Sequence, residues 1–228
     1  MQLSIIIPVF NERATVLAVL DRVEAAGTDA EIIVVDDGST DGTRELLAER
    51  AAASGGRITL VEHPVNRGKG AALATGVVRA TGEYVIFQDA DLEYDPADYA
   101  ALLAVVNSRG AVAVYGSRLR VAPPMMSVWH VIGNRLLTGL TNLLYGSALT
   151  DMETCYKLVR RTLLQDLGIT CKRFDVEPEI TAKLLKRGVR IHEVPISYKG
   201  RGFAEGKKIS WGDFVSAVWT LVRLRLAG

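Results

Sequence analysis

The chain has 228 residues, 49% hydrophobic and 23% charged, with a formal net charge of +1. That length fits one α/β domain with a substantial core, and the composition is not that of a disordered segment. The near-neutral charge offers no broad basic field for nucleic acid, and Cys155 and Cys171, without a CxxC pair, supply neither a disulfide framework nor a zinc site.

In chain order, Leu3 to Val9 is a continuous β-branched run, the pattern of a parallel strand buried on both faces. After Asn11-Glu12, the spacing of Val16, Val19, Leu20 and Val23 predicts a helix ending at Gly27. Glu31 to Val35 reads as a second buried strand, Thr43 to Ala53 as a helix, and Ile58 to Glu62 as a strand. Asn66-Arg67-Gly68-Lys69-Gly70 predicts a turn leading into a helix over 71–80, and Glu83 to Gln88 another buried strand. A helix over 96–107 and a strand over 111–116 complete the first half. Beyond Pro123-Pro124 the expectation is an apolar stretch at 127–145, a helix at 176–187 and a strand at 189–197. A glycine-rich basic loop from Lys199 to Lys208 and an amphipathic segment from Phe214 to Leu226 follow.

Strands alternating with helices call for a mostly parallel sheet covered on both faces, with ligands outside the carboxyl ends of its strands. The polar clusters fall there: Asn11-Glu12, Asp36-Asp37 and Asp89-Ala90-Asp91. Asp89 and Asp91, one residue apart, address the same side and suit one Mg2+ or Mn2+ completed by phosphate oxygens, with Glu93 spaced as a third donor. Asp37 is placed to accept from a base or a ribose, while Ser39 or Asp41 is placed to cap the next helix. Neither GxxxxGK[ST] nor GxGxxG is present, so a P-loop and a dinucleotide-binding dehydrogenase are disfavoured, although Arg67 or Lys69 remains in reach of a phosphate. His63, His130 and His192 are isolated from one another and are expected to be structural.

Taken together, Ile5-Ile6-Ile7-Pro8-Val9-Phe10-Asn11-Glu12, Val34-Val35-Asp36-Asp37-Gly38-Ser39 and Gln88-Asp89-Ala90-Asp91 resemble family 2 glycosyltransferases of the GT-A fold, an α/β, Rossmann-like, mostly parallel sheet. Asn66–Ala72, Gly116-Ser117-Arg118, Gly133-Asn134-Arg135, Thr150–Lys157 and Arg201…Gly206-Lys207-Lys208 resemble the dolichyl-phosphate mannose synthase group. The resemblance implies an inverting transfer of mannose or glucose from GDP-mannose or a UDP-hexose to a polyprenyl monophosphate. It implies a nucleotide-sugar pocket lined by Pro8, Phe10, Glu12, Val35, Asp37, Asp89, Ala90, Asp91 and Arg118, and a metal on Asp89, Asp91 and Glu93. Asp91 and Arg118 take the catalytic roles, and Arg118, Arg135, Arg201 and Lys207 or Lys208 meet the phosphates of donor and acceptor. Glu93 and Cys155 depart from the group's pattern, which bears on the sugar more than on the chemistry. One GT-A domain is expected, with a nucleotide-sugar half over 1–118 and an acceptor-binding extension over 119–228.

A phosphate acceptor is already anionic and needs positive charge more than a base. A hydroxyl acceptor would need a carboxylate base, for which Asp151, Asp175 and Glu177 are the late candidates, capping being their plainer role. The 121–146 stretch with Met125, Met126, Trp129, Leu136 and Leu137, and the last helix with Trp219, Arg223 and Arg225, are placed either to meet a bilayer surface or to pack on the sheet. No basic leader and no run of about eighteen apolar residues is present, so the expectation is a cytoplasmic protein with peripheral membrane contact. A GT-A enzyme with a water-soluble acceptor and a non-catalytic nucleotide-sugar-binding protein remain the alternatives, with a nucleotidyltransferase less favoured.

Overall fold

The computed structural model describes residues 2–120, 128–200 and 211–227. Its centre is a seven-stranded sheet in the order β3-β2-β1-β4-β6-β5-β7. β1 (Leu3–Val9), β2 (Ala30–Asp36), β3 (Ile58–Glu62) and β4 (Tyr84–Phe87) run parallel, connected by α1 (Val16–Ala25), α2 (Thr43–Ala53) and α3 (Lys69–Arg79). β1, β2 and β4 are almost wholly buried because helices cover both faces, which is why their sequences are unbroken apolar runs. The helix over Thr43–Ala53 and the strand over Ile58–Glu62 fall where the sequence places them.

α3 begins at Lys69, inside the segment that reads as a turn. Gly68 precedes it with φ +94°, and a Cβ on Gly68 or Gly70 would collide with the backbone carbonyls of Lys172 and Cys171. These two glycines therefore admit the 171–172 backbone against the start of the helix. The 96–107 helix is a 3₁₀ turn (Pro96–Asp98) followed by α4 (Tyr99–Arg109).

The second half departs from the expected pattern at β6 (Lys157–Arg160), which the sequence does not announce. This strand lies between β4 and β5 (Ala113–Ser117) and is antiparallel to both, while β7 (His192–Pro195) returns parallel to β5. Because β6 runs against β4, the residues entering it, 150–156, arrive at the carboxyl end of β4. Both halves of the chain thus build one sheet and one rim.

α6 (Arg161–Leu167) and α7 (Val176–Lys186) follow β6. α5 (Val128–Tyr145), α7 and α8 (Trp211–Leu226) pack together around a second small core of Leu137, Met152, Ala182, Ala217 and Leu221. The other faces of α5 and α8 leave Trp129 (77% exposed), Leu136, Leu143, Val215 and Trp219 (64%) in solvent. No described helix is long and apolar enough to cross a membrane.

Candidate active site

A cleft of about 1300 Å³ opens at the carboxyl ends of the strands. On the β1–β2 side it is lined by Pro8, Phe10, Glu12 and Asp37, at its centre by Asp89, Ala90, Asp91 and Glu93, and on the far side by Arg118, Asn134, Glu153, Cys155 and Glu177.

The β1 end is shaped by Asn11, which takes a left-handed conformation (φ +52°), one that asparagine tolerates better than most residues. Its backbone N–H donates to Ser39 Oγ (3.0 Å), and its Oδ1 accepts from the Thr40 N–H (2.8 Å). Thr15 Oγ1 donates to the carbonyl of Ala90 (2.9 Å) and contacts Glu12 Oε2 (3.0 Å), which ties the first turn to the Asp89–Asp91 segment.

The two consecutive aspartates divide their work. Asp36 is fully buried and accepts two hydrogen bonds from the Arg44 guanidinium (2.9 and 2.8 Å), a structural role. Asp37 reaches the cleft, but its carboxylate accepts from His63 Nδ1 (2.7 Å), the Arg67 N–H (2.9 Å) and the Gly68 N–H (2.7 Å). Three of its roughly four lone-pair directions are used, so Asp37 sets the 66–68 turn and has about one direction left for a ligand. His63, held between Asp37 and Thr75 (3.0 Å), is structural as expected. Val35, expected on the nucleotide wall, is instead fully buried in the sheet core and does not line the cleft. Asp37, just past the carboxyl end of β2, stands on that wall instead.

At the end of β4, Asp89 Oδ1 lies 2.8 Å from Lys69 Nζ, which lies 2.8 Å from Glu177 Oε1. Burial pushes the Asp89 carboxyl up, but Lys69 outweighs it and holds the group below the usual range. Burial works against the Lys69 charge, and Asp89 and Glu177 more than restore it. Asp91 Oδ1 accepts from the Glu93 N–H (3.2 Å), while Glu93 Oε2 accepts from Tyr198 Oη (2.5 Å). Glu93 is thus drawn toward Tyr198, and among the described residues no three acidic, histidine or cysteine side chains converge on one point. Asp89 and Asp91 still fit Mg2+ or Mn2+, since these cations take one or two carboxylates and complete their shell with phosphate oxygens and water.

Arg118 leaves β5 and is nearly buried. Its Nε and Nη2 donate to the two oxygens of Asp151 (both 2.8 Å), and its backbone N–H donates to the same carboxylate (2.9 Å). The rings of Tyr94 and Tyr198 flank the guanidinium at 5.9 and 5.1 Å. Asn134 Nδ2 completes the Asp151 shell at 2.6 Å, and Thr138 Oγ1 holds Asn134 Oδ1 at 2.9 Å. Burial raises the Asp151 carboxyl, but Arg118 and Asn134 prevail and hold it below the usual range. A carboxylate so occupied is a positioning group and not a base. Asp175 does not line the cleft, which leaves Glu177 as the one late acidic candidate there.

Arg135 corrects another expectation. It is exposed and absent from the cleft wall, where its neighbour Asn134 stands instead. One residue along a helix turns the side chain by about 100°, and the buried face of α5 is the one through Asn134, Leu137, Thr138 and Thr141. Arg201, Lys207 and Lys208 lie outside the described residues, as do Met125 and Met126.

Several cleft residues escape a reading of isolated motifs: Lys69 as the bridge between two carboxylates, Tyr94 and Tyr198 as the walls around Arg118, and Glu153. Glu153 Oε1 and Glu177 Oε2 are sealed from solvent without a hydrogen-bond partner among the described residues, and such oxygens cost about 1–3 kcal/mol each. Burial first, and then Glu177, push the Glu153 carboxyl well up. Lys157 is buried beneath, donating to the carbonyls of Met152 and Thr154 (both 2.6 Å) with its charge disfavoured by burial. The available signal for Glu153 was its place inside the Thr150–Lys157 resemblance segment.

The sheet order, with acidic strand ends around the cleft, is that of the GT-A fold. The chain belongs to glycosyl transferase family 2, whose family model, described as "Glycosyl transferase family 2", matches residues 4–168. The resemblance read from the motifs is borne out. Among similar proteins, the Low-salt glycan biosynthesis hexosyltransferase Agl6 of Haloferax volcanii is 31% identical over 87% of this chain and 48% of its own length. The chain thus spans about half of that relative. The Polyprenol monophosphomannose synthase of Mycolicibacterium smegmatis is 28% identical over 94% of this chain and 85% of its own. Among solved structures, glucosyl-3-phosphoglycerate synthase from Mycobacterium tuberculosis, in complex with Mn2+, UDP and glucosyl-3-phosphoglycerate, superposes with a TM-score of 0.72. It covers 98% of this chain and 79% of its own at 24% identity, a likeness of fold.

Proposed function

We propose that the protein transfers a hexose, mannose or glucose, from a nucleotide-diphosphate sugar to a polyprenyl monophosphate, with inversion and with Mg2+ or Mn2+. The observation that carries this is the placement of Asp89 and Asp91 in the same cleft as the cation Arg118. Carboxylates for a metal and a guanidinium for a phosphate are what two anionic reactants need in order to meet. The chain is also similar along nearly its whole length to a polyprenol monophosphomannose synthase.

In this reading Pro8, Phe10, Glu12 and the remaining lone pair of Asp37 receive the nucleoside, with Ala90 in the floor between. Asp89 and Asp91 hold the cation, whose chemistry is to neutralise charge on the departing diphosphate. Glu93, turned toward Tyr198, serves the 198–199 segment more than the metal. Arg118, fixed by Asp151 and the two tyrosines, presents its remaining N–H groups to phosphate oxygens, and Arg201, Lys207 and Lys208 are assigned to the same anions. An acceptor phosphate oxygen attacks the anomeric carbon as that carbon's bond to the diphosphate oxygen breaks. The nucleoside diphosphate leaves with the electron pair, and the configuration inverts. The phosphate is already deprotonated, so no base is required.

The exposed apolar faces of α5 and α8 fit peripheral contact with the membrane that holds such a lipid. Residues 1–118 supply most of the nucleotide side and 119–228 most of the acceptor side of one domain. Glu177, the one of Asp151, Asp175 and Glu177 that lines the cleft, keeps a second reading open, a hydroxyl acceptor deprotonated by this group. The test is nucleoside diphosphate release with a short polyprenyl phosphate and Mn2+ across the common GDP- and UDP-sugars. We expect release with one of them, abolished by EDTA and by Asp91→Asn. No release with any donor sinks the proposal.

A further inference from the structure

We infer that Glu153 is a specificity residue for the donor hexose, accepting a hydrogen bond from a ring hydroxyl at the end of the cleft beyond Asp89. The inference rests on the nucleotide-sugar reading above and adds which part of the chain recognises the sugar. Strand order supplies the first support. Asp89 ends β4, with β1 and β2 on one side of it and β6 on the other. If the diphosphate lies at Asp89 and Asp91, the β1–β2 ends take the nucleoside, and the group on the other phosphate ester falls toward the residues that enter β6. Glu153 is among those residues and lines the cleft.

Distance supplies the second. Lys69 Nζ touches both Asp89 and Glu177 at 2.8 Å, so the two carboxylate oxygens are no farther apart than twice that contact. Glu177 is therefore next to the metal motif, and Glu153 lines the same cleft.

Chemistry supplies the third. Glu153 is only half-buried and lines the cleft, and neither its Oε1 nor Glu177 Oε2 has a protein donor among the described residues. A site left with such acceptors is complementary to hydrogen-bond donors. A fully ionised phosphate brings no donor for these oxygens. A metal ion has a competitor in Lys69, already on the other oxygen of Glu177. A hexose brings neutral hydroxyls, each a donor. Glu177 is committed to Lys69, so discrimination among hydroxyls falls to Glu153.

The experiment compares Kd with Mn2+ for UDP against UDP-glucose, and for GDP against GDP-mannose, by calorimetry on wild type, Glu153→Gln and Glu153→Met. Expected is an unchanged nucleoside diphosphate Kd in all three and a nucleotide-sugar Kd about tenfold or more weaker in Glu153→Met. Glu153→Gln, which keeps an acceptor oxygen in the same volume, is expected to retain most of the affinity. Monodeoxy analogues of the bound donor then identify the hydroxyl: one weakens binding to wild type by a similar factor and has no further effect in Glu153→Met. Equal losses for nucleoside diphosphate and nucleotide sugar overturn the inference. So does a full additional deoxy effect in the variant, or, should Glu153→Met not fold, in Glu153→Ala. A wild type that binds neither nucleoside diphosphate nor nucleotide sugar overturns the functional reading itself, a different result from binding that ignores residue 153.

Discussion

Replacing Asp151 by asparagine keeps the side-chain volume and removes the charge that Arg118 faces. In the native protein this carboxylate is fully buried and accepts four hydrogen bonds: the Arg118 N–H, its Nε and Nη2, and Asn134 Nδ2. An asparagine offers one acceptor oxygen and turns an NH₂ toward a donor. The buried guanidinium is then uncompensated, a change that costs about 3–5 kcal/mol, a large part of the ~5–15 kcal/mol of a typical domain. Urea unfolding at pH 7 should show the midpoint falling with little change in slope. The carboxyl's folded pKa is lowered relative to its ordinary 3.8, so its contribution is complete above that value and is lost as pH falls through the lower folded one. The gap between wild type and Asp151→Asn should therefore narrow below about pH 4. A companion pair, Arg118→Met with Asp151→Leu, should be more stable than Asp151→Asn alone, because an apolar pair of similar volume replaces a buried ion pair at little cost. It should nonetheless lose transfer. A loss under about 1 kcal/mol in Asp151→Asn, or a gap that ignores pH, refutes the ion-pair account. Transfer surviving in the double variant refutes the role given to Arg118.

Two further outcomes test other parts of the site. Gly68→Ala forces a Cβ onto the Lys172 carbonyl at φ +94°, and strain of about 1–3 kcal/mol should lower the melting temperature and weaken nucleoside diphosphate binding through the Asp37 turn. An unchanged melting temperature would show that the turn relaxes freely. Trp129→Ser with Trp219→Ser should reduce sedimentation with phospholipid vesicles on the order of tenfold for each tryptophan lost, as expected for removing a large apolar side chain from a bilayer contact, while melting stays near wild type. Equal sedimentation would remove the membrane role from the α5–α8 face.

How much was legible in the sequence differs between the two halves for physical reasons. β1, β2 and β4 are buried on both faces, so their apolar runs are continuous and their ends fall on polar residues that stand out. β6 has four residues, and the residues before it mix acidic, polar and apolar side chains without a regular period, so its local pattern resembles a loop. Its direction comes from pairing with β4 and β5, which local pattern does not encode. The fold and the family followed from motif order, and the family model and relatives agree. Individual roles were harder. Asn134 and Arg135 are adjacent in a motif, yet helix rotation sends one to Asp151 and the other to solvent. Asp37 reads as a ligand group, although its carboxylate mostly holds backbone N–H groups that arrive from 67–68. Glu153 gained significance only once its neighbours and its sealed oxygen were in place.

The antiparallel strand also bears on how the chain is made. β4, with the sequence Tyr84-Val85-Ile86-Phe87, pairs on one side with β1, and its other edge is completed by β6 roughly 70 residues later. At a synthesis rate of ~5–20 residues per second, that edge waits on the order of 4–15 s on the ribosome, an apolar row of unpaired backbone groups of the kind that recruits other chains. β5 is in the same position, because without β6 it has no neighbour to join it to the first four strands. A nascent or truncated product ending near residue 118 should therefore be aggregation-prone, and expression should depend on how quickly 157–160 reaches its slot.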